Sequence, residues 1–135
     1  MEIYNVTLIE LSSKKEIPCS VEVDEAEISE NIKIKTVIDG NTIEVTDFNY
    51  LPAYQHFRDQ LLLLGYGMKC NGSRINAVQS GLMGATDKMY LVEIGKQALM
   101  KDIVHIWDYA DIVEFPDIEQ QKVFFDQWTK SLSKS

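Results

Sequence analysis

This 135-residue chain has only two histidines and two cysteines, and no apolar run longer than the four leucines Leu61–Leu64. Each shortage excludes a class of function. A helix that crosses a bilayer needs ~20 apolar residues, and no basic stretch followed by an apolar one marks the N-terminus. The expectation is therefore a cytoplasmic protein with no membrane partner. Cys19 and Cys70 fall short of the four or more cysteines that usually staple a secreted domain, and both are read as reduced thiols. With His56 and His105 as the only imidazoles, and no Cys-x-x-Cys or His-x-x-x-His pair to preset ligand geometry, no metal and no cofactor are expected. Bases are outnumbered as well, 13 against 21 acids, for a formal charge of −8. That balance repels polyphosphate and attracts basic surfaces, so nucleic acid is not expected as a partner.

Catalytic signatures are missing in the same way. The chain contains neither the phosphate loop nor the dinucleotide fingerprint. Ser80-Gly81 has Val78 where a nucleophile elbow requires glycine. A thiol such as Cys70 with a histidine base is arithmetically possible in any chain that holds both, which gives it no weight here. No catalytic residue is assigned, and the chain is read as a non-enzyme.

What is present is ordinary globular material, 45% apolar and 25% charged, at a length that suits a single domain over residues 1–135 with one core. Ile3 to Leu11 and Ile17 to Val23 alternate as half-buried strands do, with a turn at Ser12–Lys15. Ile32 to Ile38 alternates again, and Asp39-Gly40 before Thr42–Val45 signals a hairpin. The period then changes. Leu51, Tyr54, Phe57, Arg58, Leu61 and Leu62 mark one face of a helix, with Pro52 in its first turn, Asp47 or Asn49 as cap and Gly65 or Gly67 as terminator. Pro116 and Asp117 open a second helix over Ile118 to Leu132, with Val123, Phe124, Trp128 and Leu132 as its apolar stripe, before a frayed tail from Ser131. Lys88 to Ile94 and Ile103 to Tyr109 read as further strands, the latter buried on both faces. The fold class is α+β, an antiparallel-rich sheet with about two main helices packed on one side.

Three stretches stand out as candidate sites. Glu22, Asp24, Glu25, Glu27 and Glu30 form one base-free acidic run, and Asp102 to Glu119 forms another. Trp107, Tyr109 and Phe115 interleave the second with Asp108, Asp111 and Glu114, which suits an interface in which aromatics anchor and acids steer. The other reading makes the aromatics core and the acids a solvated face. The third stretch, Lys69 to Gly84, packs three glycines, two serines, two asparagines and Arg74 into sixteen positions. There Arg74 would offer a planar fork to an anion, with Ser73, Asn76 and Ser80 as donors; equally, the loop is architectural.

The segment Cys70-Asn71-Gly72-Ser73-Arg74-x-Asn76, followed by Ser80-Gly81-Leu82 and a strand holding Tyr90, resembles a group of short, largely uncharacterised bacterial proteins. The resemblance covers residues 50 to 96 and carries no activity with it. In size, acidity and layout the chain is also similar to bacterial immunity proteins, which implies a partner: a basic toxin domain, such as a nuclease, whose surface an acidic protein occludes. This makes the first expectation a toxin-neutralising protein using Trp107, Asp108, Tyr109, Asp111 and Glu114, with Glu22, Asp24 and Glu25. The alternative is a small-ligand protein or enzyme built on Ser73, Arg74, Asn76 and Ser80. A third reading is a scaffold that pairs exposed strand edges between subunits.

Overall fold

Alternating β-branched and polar residues set out the first four strands, and the turns between them fix their pairing. The computed structural model describes residues 1–25 and 31–133, so Glu27 and Glu30 of the first acidic run and the last two residues lie outside the described part. Strands β1 (Glu2–Glu10) and β2 (Glu16–Glu25) form an antiparallel hairpin in which Val6 faces Cys19 and Leu8 faces Ile17. Strands β3 (Ile32–Ile38) and β4 (Asn41–Asp47) are joined by Asp39 and Gly40, at φ 50° and 75°. Both angles lie in the left-handed region that a two-residue hairpin turn requires, which is why Asp-Gly stands there.

Helix α1 (Tyr50–Leu63) buries Tyr50, Leu51, Ala53, Tyr54, Phe57, Arg58 and Leu61, the three-and-four spacing of a single face. Asn49 precedes it without a side-chain cap, and Gly65, at φ 91°, follows its end. Strand β5 (Tyr66–Met68) then returns alongside β1, giving a five-stranded antiparallel sheet of order β4-β3-β2-β1-β5. The remaining strands make a second antiparallel sheet, β6 (Ala77–Val78), β7 (Lys88–Leu91) and β8 (Ile103–His105). The architecture is α+β, with the helices on one side of the main sheet. One cluster of buried side chains joins both sheets to α1, from Val6, Leu8 and Ile34 through Tyr54 and Phe57 to Met89, Ile106 and Trp107.

Three sequence expectations need correcting. The strand expected to run to Tyr109 and to be buried on both faces stops at His105 with its residues partly covered or exposed, because Ile106 and Trp107 turn inward while Asp108 and Tyr109 stay exposed. Helix α2 (Ile118–Leu132) has the expected limits, and Asp117 and Gln120 cap it reciprocally, but its one fully buried residue is Gln121. Val123, expected in the apolar stripe, is exposed. Ser131, expected in a frayed tail, is helical and accepts from the amide of Gly95 at 2.8 Å.

The register also sets lysines beside two acids of the first run. Glu22 stands opposite Lys35 and Asp24 opposite Lys33, and Glu44 on β4 faces Lys35 in turn. Residues 22 to 25 contain no base in sequence, yet in the sheet each of these two carboxylates has a lysine as its cross-strand neighbour, ~5 Å away.

Candidate functional site

The segment from Ile106 to Pro116 crosses the molecule as a strap. Its first part is pinned by backbone hydrogen bonds: Gly72 N donates to Ile106 O at 3.0 Å, Asn71 N to Asp108 O at 2.9 Å, and Ala110 N to Lys69 O at 3.0 Å. Its far end is anchored by Phe115, whose ring lies so close to Gly67 that a Cβ there would come within 2.6 Å of it. Between Ala110 and Phe115 the chain stands clear of the body. Val113 is 86% exposed, and Asp111 and Glu114 are exposed on either side of it.

Under this free stretch lies an open cleft of about 770 Å³, lined by Arg74, Ile75 and Asn76 on one segment and by Asp111 to Pro116 on the other. Two candidate stretches that the sequence kept apart therefore share one cavity. Lys69 holds the strap at the edge of the cleft. This lysine is almost wholly covered; its ammonium lies 3.0 Å from Asp111 Oδ1, 3.3 Å from Glu16 Oε2 and 5.4 Å from the centre of the Tyr109 ring. Tyr109 first, then Asp111 and Glu16, hold the lysine above its ordinary pKa, and the hydrogen bond from Lys69 in turn lowers the Asp111 carboxyl.

The structure redistributes the predicted residues. Trp107 does not reach a partner: only 5% exposed, it stacks on Tyr4 at 5.2 Å between ring centres, meets Tyr54 edge-on, and donates its indole N–H to the Tyr50 hydroxyl at 2.7 Å. Its neighbours Asp108 and Tyr109 are exposed. Ser73 is likewise lost as a ligand donor, since it is fully buried and its hydroxyl lies 2.5 Å from that of Tyr54. Asn76 lines the cleft, but its amide N–H is bound to Val92 O at 3.0 Å. Ser80 lies elsewhere, on a second groove of about 330 Å³ between α1, α2 and the loop after β6. Of the four ligand candidates, only Arg74 and Asn76 meet in one place. Glu22 and Asp24 have lysine neighbours in the sheet, and Glu25 is an exposed acid at the end of β2.

Sequence reasoning missed the polar node that supports the cleft. Arg58 is fully buried, its ring-facing guanidinium 5.9 Å from the centre of Tyr54, with Nε on Asp59 at 2.7 Å and one terminal nitrogen on Gln121 Oε1 at 2.7 Å. Gln121 also accepts from Gln55 and donates to the carbonyls of Gly72 and Arg74, at 2.9 and 2.8 Å. It thus joins α1, α2 and the cleft loop. Close packing finishes the loop: a Cβ at Gly72 would come within 2.7 Å of Tyr54 and 2.8 Å of Ile106. The only sequence clue was Arg58 falling on the apolar face of α1.

The nucleophile candidates are placed as structure. Cys70 is fully buried, and burial pushes its thiol pKa up to about 12. The Nδ1 of His56 is 2.5 Å from Asp47 and that of His105 is 3.2 Å from Asp87. Among the described residues, no three His, Cys, Asp or Glu side chains converge as a metal site would, and no helix is long and apolar enough to cross a membrane. Compared with known proteins, the chain matches no family model and no curated sequence.

Proposed function

We propose that this chain is a non-enzymatic, cytoplasmic binding protein of the immunity type, which docks a basic toxin domain on the strap and blocks its working surface. The observation that carries the reading is the free stretch of strap between two anchors, where Val113 is 86% exposed with the exposed acids Asp111 and Glu114 on either side of it in the chain, and the exposed Asp108 and Tyr109 precede them on the pinned part. An exposed apolar side chain in a segment of exposed acids and a tyrosine is interface composition, and the acids would speed encounter with a cationic partner. Pinning at Phe115 and Lys69 limits the ordering entropy lost on docking. The contact set is Asp108, Tyr109, Val113 and Glu114. Asp111 is partly committed to Lys69, and Glu22, Asp24 and Glu25 lie on β2, outside the strap.

The test is to read the neighbouring gene and titrate the chain calorimetrically with a toxin domain found there, a neighbour of any other kind counting against the reading. A tight complex that weakens with salt, and weakens about tenfold or more when Asp108 and Glu114 are both changed to lysine, is expected. An affinity unchanged by that double reversal would show that the strap is not the contact surface. The small-ligand reading keeps a narrower basis, namely Arg74 facing the same cleft.

A further inference from the structure

A partner reads polar groups that the fold has left unused yet holds in place, and the two cavities differ in this respect. In the groove beside Ser80, Gln79 accepts from Leu51 N and donates to the carbonyls of Thr86 and Lys88, while Gln55 and Gln121 are bound to each other and to the buried node. Ser80 and Lys122 are exposed on that groove, and among the described residues no side-chain bond holds either in position. In the strap cleft, Arg74 is half-buried and its Nε donates to Asn71 Oδ1 at 3.0 Å. Among the described residues, nothing accepts from its two terminal nitrogens and no carboxylate pairs with it, in a chain with 21 acids.

Arg74 is also held in place. Asn71, which orients it, donates to His105 O at 3.2 Å and to Asp108 O at 2.9 Å, and the Arg74 carbonyl is bound by Gln121. It is the only base lining the cleft among the described residues. A purely cationic partner entering here would bring like charge against a guanidinium whose support resists its swinging away, while the free fork offers the paired N–H groups that fit a carboxylate. Ile75 and Phe115 add apolar surface to the lining.

We propose that the strap cleft takes a peptide segment of mixed charge from its protein partner, with a carboxylate seated on the free edge of Arg74 and a lysine or arginine against Glu114. This rests on the docking reading above and narrows it, because it makes Arg74 the residue that selects among basic partners. A partner surface carrying both signs fits; a uniformly basic one does not.

The probes are three blocked peptides of equal length, one with Lys and Gly, one with Glu and Gly, and one alternating Lys, Glu and Gly, titrated into the full chain and followed by amide NMR. The mixed peptide is expected to shift residues 74–76 and 111–116 and to bind about fivefold tighter than the lysine peptide, the effect of one exposed ion pair of ~1 kcal/mol. Arg74→Gln is expected to abolish that preference while leaving lysine-peptide binding intact or improved, and Arg74→Lys to restore part of it. Position 74 tolerates these changes because its links to Asn71 O and Gln121 run through backbone atoms. Equal binding of the mixed and lysine peptides, or a preference that survives Arg74→Gln, would overturn the role of Arg74 and leave the acidic strap standing. Silence of both cleft segments to all three peptides would overturn the strap reading as well.

Discussion

Replacing Gln121 by leucine isolates the polar node, because the two side chains are similar in volume and little cavity energy enters. Gln121 is 2% exposed and its amide makes four hydrogen bonds. Leucine leaves the Gly72 carbonyl without that donor, at about 1 kcal/mol, whereas Arg74 O keeps Ala77 N and loses about half as much. The larger cost falls on Arg58. One of its terminal nitrogens already lacks a partner, and the other would lose its acceptor, at about 2 kcal/mol for a buried charged donor. The sum is about 3.5 kcal/mol. Unfolding entropy of about 2.1 cal/mol/K per residue over 135 residues converts this to a fall in Tm of about 12 °C. Urea unfolding followed by circular dichroism reads it directly, as a lower midpoint at unchanged slope. Adding Arg58→Met to Gln121→Leu removes the stranded charge, so the double variant should be more stable than Gln121→Leu alone. A loss below about 1 kcal/mol for the single variant, or a double variant less stable than it, would refute the reasoning.

Trp107→Ala should cost about 3–5 kcal/mol, as removal of a core aromatic does, whereas Asp108→Lys beside it should leave the urea midpoint nearly unchanged; similar effects of the two would contradict the inward turn at Ile106. Neither Cys19 nor Cys70 should react with a thiol reagent in the native state at neutral pH, since burial raises both thiols, and fast labelling of folded protein would disprove their enclosure. The Lys69–Asp111 pair gives a pH dependence of definite sign. The Asp111 carboxyl is lowered on folding, so its contribution is present above the ordinary aspartate value and is lost as pH falls through the lowered one. The Lys69 ammonium is raised, so its share is complete below the ordinary lysine value and disappears as pH rises through the raised one. Asp111→Asn should therefore flatten the acid limb of stability against pH, and an unaltered limb in urea titrations at successive pH values would rule the pair out as its source.

The sequence by itself determined what depends on near neighbours along the chain. Pro116, Asp117 and Gln120 set where α2 starts, through capping bonds within four residues, and Asp39-Gly40 set the β3–β4 turn through the φ values that these residues tolerate. Spacings of three and four placed the buried face of α1, Arg58 included, and the change of period from two to 3.6 gave the α+β class. Which distant groups meet depends on how the whole chain packs. Alternation said that Glu22 and Asp24 share a face of β2, but the β2–β3 register put Lys35 and Lys33 beside them. The pattern around Trp107 suited an interface anchor as well as a core aromatic, and the ring went inward because Tyr4, Tyr50 and Tyr54, from β1 and α1, enclose it. Gln121 reads as an ordinary polar helix residue until Arg58, sixty-three positions earlier, is found beneath it. Arg74 and Glu114 are forty positions apart, and their shared cleft exists because backbone bonds lay the strap across residues 69 to 72. A long-range pairing is selected by the packing of the whole core, and no local pattern encodes it.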